Sequence, residues 1–336
     1  MPFKLEPNDF DADQEVLSGP ELESTIAVLG DICSSVTNGG SQAGREKLKE
    51  LVEKLKARLN DPSAPFDLSD FDLLEMSNIR RNGTLDLKLS TETSETVSAS
   101  RKLGSDKLWS DDFMHKHLAL LFRSIDNESP GFIMAVTDAF IFRATAMLPP
   151  SHEFVLVPED RSGPSDPCEV PQMGPGTKPG VIDYTVIVAS PSHITKLQVD
   201  TYWQPILDKS EGEKIIGAFF IAVANANAPL ASLGDQLNTV VLEMSARAKS
   251  LGKSHVRGAL TSGTRWSFIA MDLDPNNVDA KYWVSEEIEF RAPIVGSPDV
   301  SWTSEREPSL IAAILSTWVQ RSFEEFKGDE WFFTRT

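Results

Sequence analysis

Gly180-Val-Ile-Asp-Tyr-Thr-Val-Ile-Val-Ala-Ser190 is an apolar, β-branched run interrupted by one acid, Asp183. A second run, Lys214-Ile-Ile-Gly-Ala-Phe-Phe-Ile-Ala-Val-Ala224, is broken by Asn-Ala-Asn-Ala-Pro-Leu230. A helical pattern over Leu233 to Leu251 leads into His255-Val-Arg-Gly-Ala-Leu260. Thr261-Ser-Gly-Thr264 then turns into Arg265-Trp-Ser-Phe-Ile-Ala-Met271. Near-continuous apolar strands are what a sheet buried on both faces requires. The sequence therefore predicts an α/β core organised around residues 180–268.

The chain has 336 residues, 40% of them apolar, with 18 Phe and 7 Trp, enough for one large domain or two ordinary ones. Its 50 acids against 32 bases give a net charge of −18. Such a field repels polyphosphate at long range, which disfavours a general nucleic-acid binder and favours a protein or small-molecule partner. Cys33 and Cys168 have no Cys-x-x-Cys partners, so neither a disulfide scaffold nor a thiolate zinc site is expected. The acidic first 20 residues lack an apolar h-region, and no apolar run reaches membrane-spanning length. These features point to a soluble protein of the cytoplasm or nucleus.

Before the core, helices are expected over Gly19–Cys33 and from Ser41 to Leu59, the latter with Leu48, Leu51, Val52, Leu55 and Leu59 on one stripe. Asp67 to Met76 reads as a short helix, Gly83 to Ser90 as a strand, and Thr91 to Ser105 as a mobile Ser/Thr-rich loop. Residues 1–105 thus form an acidic tail and helical N-terminal region, with the core at 106–336. Ser110 caps a helix holding His115 and His117, which face different sides and read as ordinary surface histidines. Pro130 to Leu148 reads as a helix and Glu153 to Pro158 as a strand. Tyr282 to Phe290 alternates like an edge strand, and Ser309 to Phe323 reads as a closing helix.

The resulting order, helix–three strands–helix–strand, is that of restriction-endonuclease-like domains. Arg143-Ala-Thr-Ala-Met-Leu-Pro-Pro150, the Gly180–Ser190 run, Glu243-Met-Ser-Ala-Arg-Ala-Lys-Ser-Leu251 and Arg257-Gly-Ala-Leu-Thr-Ser-Gly-Thr-Arg-Trp266 resemble a group of uncharacterised fungal proteins with a PD-(D/E)XK nuclease fold. The resemblance implies a mixed sheet flanked by helices. It also implies an Asp on one strand facing an acid-x-Lys on the next. Residues two apart on a strand share a face, so the three groups meet. The carboxylates hold Mg²⁺, which polarises the phosphate and activates water.

Asp183 matches the first acid. A charge inside an apolar strand needs a ligand or a partner. The second strand departs from the pattern, because alignment puts Val223 at the acid and Asn225 at the Lys. Two outcomes follow. The domain is either a degenerate nuclease acting as a binding or scaffolding module, or a Mg²⁺-dependent nuclease whose acid has migrated to Glu243. In the second case Asp183, Glu243 and Lys249 are catalytic, and Asp183, Glu243 and Glu153 are the metal ligands. Arg247, four residues after Glu243, can instead pair with it. A third outcome is recruitment of the cleft to small-molecule chemistry. Arg257 on the next strand is expected to bridge a core acid such as Asp183.

Overall fold

The computed structural model describes residues 74, 78–127, 129–158, 182–200, 209–224, 233–274, 279–291 and 307–335. All belong to one compact unit spanning 69–168 and 179–336. The helices expected before residue 60 lie outside the described residues. Of the one expected over 67–76 only Leu74 is described, helical and buried.

Among the described residues, nine strands form one mixed sheet flanked by helices, as the apolar runs predict. The strands are β1 (Ile79–Leu87), β2 (Glu153–Pro158), β3 (Ile182–Ala189), β4 (Gly217–Val223), β5 (His255–Thr261), β6 (Arg265–Leu273), β7 (Ala280–Ser285), β8 (Ile288–Glu289) and β9 (Phe332–Arg335). Their order is β2-β3-β4-β5-β6-β7-β1-β9, with β8 beside β6. β4 runs parallel to β5 and β1 parallel to β7, and the other pairs are antiparallel. Every residue of β3 and β4 is buried, so the run that decides the fold does sit between two layers.

The helices are α1 (Ser90–Lys102), α2 (Asp111–Ser124), α3 (Pro130–Ala146), α4 (Pro191–Asp200), α5 (Lys209–Gly212), α6 (Gly234–Ser250) and α7 (Pro308–Gln320). On one face, α3 and α7 pack together over Tyr184, Val186, Val188, Phe219, Ile221 and Phe268. On the other, α6 lies over β5 and β6. Ser110 and Ser129 cap α2 and α3 by accepting the N–H of Phe113 and Phe132, and Pro130 opens α3 where a missing N–H costs nothing.

Two expectations change. The Ser/Thr-rich segment after residue 90 is a helix, α1, rather than a loop. Glu92 accepts the Leu89 N–H at 3.0 Å, and Arg101 and Lys102 sit in the last turn, where the dipole favours cations. Beyond that turn, the fully buried Arg143 donates to the carbonyls of Ser100, Arg101, Leu103 and Trp109 at 2.9–3.4 Å. Low apolar content hides such a helix from periodicity; tertiary capping supplies what its own sequence lacks. The second change is β7, which is interior, because β1 returns from the far end of the chain to pair with its outer side.

The segment after α7 is fastened by Asp329. Its carboxylate accepts Trp318 Nε1 at 2.7 Å and the N–H groups of Trp331 and Phe332 at 2.9 and 2.8 Å. Arg257 Nη1 lies 3.8 Å from the same carboxylate, and its guanidinium stands 5.2 Å from the Trp318 and Phe326 rings.

Contact between α6 and the sheet depends on Gly258. A Cβ there would meet the Phe220 carbonyl oxygen at 2.7 Å and Met244 Sδ at 2.8 Å. Gly258→Ala should therefore destabilise the protein by about 1–3 kcal/mol, the usual cost of overpacking. Urea unfolding of the variant beside wild type measures it.

Candidate functional site

β3 and β4 lose register at one point. Ile182 pairs with Ala222 and Tyr184 with Ile221, so Asp183 is the extra residue of a β-bulge. The bulge removes a ladder acceptor, and the Asp183 side chain replaces it: Oδ2 accepts the Val223 N–H at 2.6 Å. Asp183 itself is buried. Glu243 reaches the same corner from α6. Its Oε2 accepts the Ile182 N–H at 3.0 Å, and its Oε1 accepts Arg247 Nε and Nη2 at 3.2 and 2.8 Å. The fold thus brings Asp183 and Glu243 to adjacent peptides, and both carboxylates hold backbone donors at the bulge.

Register also corrects the acid-x-Lys alignment. Val223 packs with Phe219 and Ile221 in the core on the Tyr184 side, so its side chain points away from Asp183, whose alternation matches Thr185 and Ile187. Ala222 and Ala224 are the residues of alternating parity beside the bulge. Neither an acid nor a lysine stands at either pair of positions. Asn225 lies outside the described residues.

Other candidate residues fall elsewhere. Glu153 pairs with Ala189 at the far end of β3, about 20 Å along the strand from Asp183 at 3.4 Å per residue. It cannot share an ion with Asp183. Lys249 is exposed and six residues from Glu243, which on a helix turns it about 120° off the Glu243 face. Among the described residues, no group of three or more His, Cys, Asp and Glu side chains is placed to hold a metal ion. Arg257 meets Asp329, not Asp183, while His255 Nδ1 pairs with Asp272 Oδ1 at 2.8 Å.

His115 is not an ordinary surface histidine. Its Nε2 is 2.9 Å from Ser309 Oγ, which in turn donates to Asp111 Oδ1 at 2.9 Å. Ser, His and Asp here do not form a nucleophilic triad. A triad carboxylate holds the ring nitrogen opposite the serine, freeing the other to take its proton. In this cluster Asp111 accepts the Ser309 hydroxyl hydrogen bond directly, and its Oδ2 is 3.8 Å from the same Nε2. Burial holds the His115 pKa below its ordinary value, against the pull of Asp111, and Arg101 and Arg143 reinforce the lowering. The trio is a polar joint between α2 and α7.

Periodicity also gives no sign of the pair behind Asp183. On the opposite face, the Tyr184 hydroxyl donates to Met134 Sδ at 3.7 Å and lies close enough to Asp138 of α3 for the two to influence each other's titration. Burial pushes up the pKa values of the Asp138 carboxyl and the Tyr184 hydroxyl, and the hydroxyl is raised further by Asp138 and Asp183. A sequence clue existed in Asp138, an acid that with Thr137 interrupts the apolar residues of the Ala135–Ile141 stretch.

No known protein family matches this chain, and no curated protein does.

Asp183→Ala removes the acceptor of a buried N–H and should cost about 1–3 kcal/mol in urea unfolding. A second expectation concerns pH. With its folded pKa raised, Asp138 binds protons more tightly in the folded state, so its contribution to stability falls as pH climbs from the ordinary carboxylate range to that raised value. Asp138→Asn should therefore flatten this decline. Melting temperatures of both proteins across acidic pH measure it, and parallel curves would contradict it.

Proposed function

We propose that the chain is a restriction-endonuclease-like domain that works by binding or scaffolding rather than by phosphodiester hydrolysis. One observation carries this reading: Asp183 and Glu243, the two acids that reach the expected site, satisfy the Val223 and Ile182 N–H groups, and Glu243 also pairs with Arg247. A hydrolytic metal site needs carboxylates whose oxygens face the ion. Here those oxygens repair a break in the sheet. Ala222, Val223 and Ala224 add no acid or lysine beside them.

The fold assignment rests on the order of elements and the resemblance to the fungal PD-(D/E)XK group. The charge of −18 makes a protein or small molecule the preferred partner. Among the described residues no helix is long and apolar enough to cross a membrane. A cytoplasmic or nuclear location accords with a sequence of only two cysteines, neither in a Cys-x-x-Cys motif.

A second reading keeps one supporting observation, the placement of Asp183 and Glu243 at adjacent peptides. On that reading the protein is a Mg²⁺-dependent nuclease, and the two residues would hold the ion. Mg²⁺ there would polarise the phosphate, while Arg247 beside Glu243 would offset the charge of the two acids. The residues present fit such an ion poorly, because each carboxylate already serves N–H donors and Lys249 lies off their face.

Purified protein should cleave neither DNA nor RNA in Mg²⁺ or Mn²⁺. Metal-dependent cleavage by wild type that disappears in both Asp183→Ala and Glu243→Ala would overturn the binding reading and establish the nuclease. A Val223→Glu change should not create activity, since its carboxylate would enter the core on the Tyr184 side.

A further inference from the structure

The register of β1 against β7 shifts at one residue. Arg81 pairs with Tyr282 and Gly83 with Trp283, leaving Asn82 without a partner on β7. Arg81 and Thr84 are three apart, so in a regular strand they would face opposite ways. The extra residue cancels that reversal. Arg81 and Thr84 stand opposite Tyr282 and Val284, which share a face, and Thr84 is paired with Arg335 on β9. One bulge thus turns two arginines to the same side of the sheet.

Between them lies a shallow depression, wide open to solvent and about 450 Å³ in extent, lined by Arg81, Asn82, Gly83, Thr84 and Arg335. Both guanidiniums are braced through Nε. Arg81 Nε donates to the Gly83 carbonyl at 3.4 Å. Arg335 Nε lies 3.2 Å from Asp86 Oδ2, and Thr84 Oγ1 donates to Asp86 Oδ1 at 3.2 Å. Among the described residues, no ion pair engages the Nη groups of either arginine. The lining holds two positive charges, an amide and a hydroxyl, with the Asp86 carboxylate set behind Arg335 and Thr84, in a chain whose net charge is −18. A planar guanidinium presents two parallel N–H donors at the spacing of a carboxylate or phosphate.

We propose that this depression binds an oxyanion, the phosphate or carboxylate group of a small molecule, between Arg81 and Arg335. The site is separate from Asp183 and does not rest on the reading of that residue. β1 lies five strands from β3 in the sheet order, roughly 24 Å at the usual strand spacing.

Calorimetric titration at low salt with inorganic phosphate, and separately with citrate, tests the proposal. Saturable binding of at least one anion is expected, and the tighter of the two names the ligand's acidic group. Arg81→Gln and Arg335→Gln should each weaken it about tenfold, as loss of a charge-assisted contact does. Arg80→Gln serves as the control, because Arg80 is exposed, lies 3.8 Å from Asp279 and does not line the depression. It should leave affinity unchanged. Absence of saturable binding tighter than roughly 10 mM would overturn the site. So would equal weakening by Arg80→Gln, which would mean diffuse surface charge instead of a defined site.

Discussion

A sheet covered on both faces has no water to answer its peptide groups, so each interruption must be satisfied from within. That constraint accounts for most of the buried charge among the described residues. Asp183 and Glu243 supply acceptors where β3 bulges against β4. Arg143 supplies donors where α1 ends and its last carbonyls would otherwise be orphaned. Asp329 supplies acceptors where the chain turns from α7 into β9. Arg143 and Asp329 each serve several backbone groups at once, whereas Asp183 and Glu243 each hold one N–H beside the bulge. Loss of Arg143 or Asp329 leaves more than one backbone group unpaired.

This is also why an acid in an apolar strand is ambiguous. A carboxylate poised for a metal ion and one that caps a bulge look alike in the sequence, since both demand an Asp amid branched apolar neighbours. Their difference lies in which way the oxygens point. On the proposed reading, the chain keeps the acid because the strand needs it, even where catalysis does not. Such an acid would persist after the chemistry that once used it had gone.

Strand and helix identity was legible wherever periodicity was strong. β3, β4, β5 and α6 fall where their apolar runs put them, and α2, α3 and α7 where their caps and stripes do. α1 was not legible, because it is polar nearly all round and is held by Arg143 from another helix. β7 looked like an edge because nothing local reveals that β1 pairs beside it. At the site, Asp183 and Glu243 could be picked out as acids in apolar surroundings. Their neighbours could not: a single bulge shifts which side chains share a face and turns Val223 away from Asp183, while the register of β2 on β3, which no local pattern reveals, sets Glu153 at the far end of the strand. Asp329 stood in a polar stretch of the tail, where an acid draws no notice.

The placement of β1 has a bearing on how the chain reaches this state. It lies between β7 and β9, and Lys88, just past its end, donates to the Asp329 carbonyl 241 residues away. Both of its neighbours are synthesised long after it. Contacts of such separation close late, because the entropy of the intervening loop must be overcome before they form. β1 therefore spends the period of synthesis as an unpaired strand, in the class of segments most open to pairing with another chain. Its exposed Arg80 and Arg81 and the half-buried Asn82 then have a second use, as charged and polar residues that discourage a wrong partner until β7 and β9 arrive.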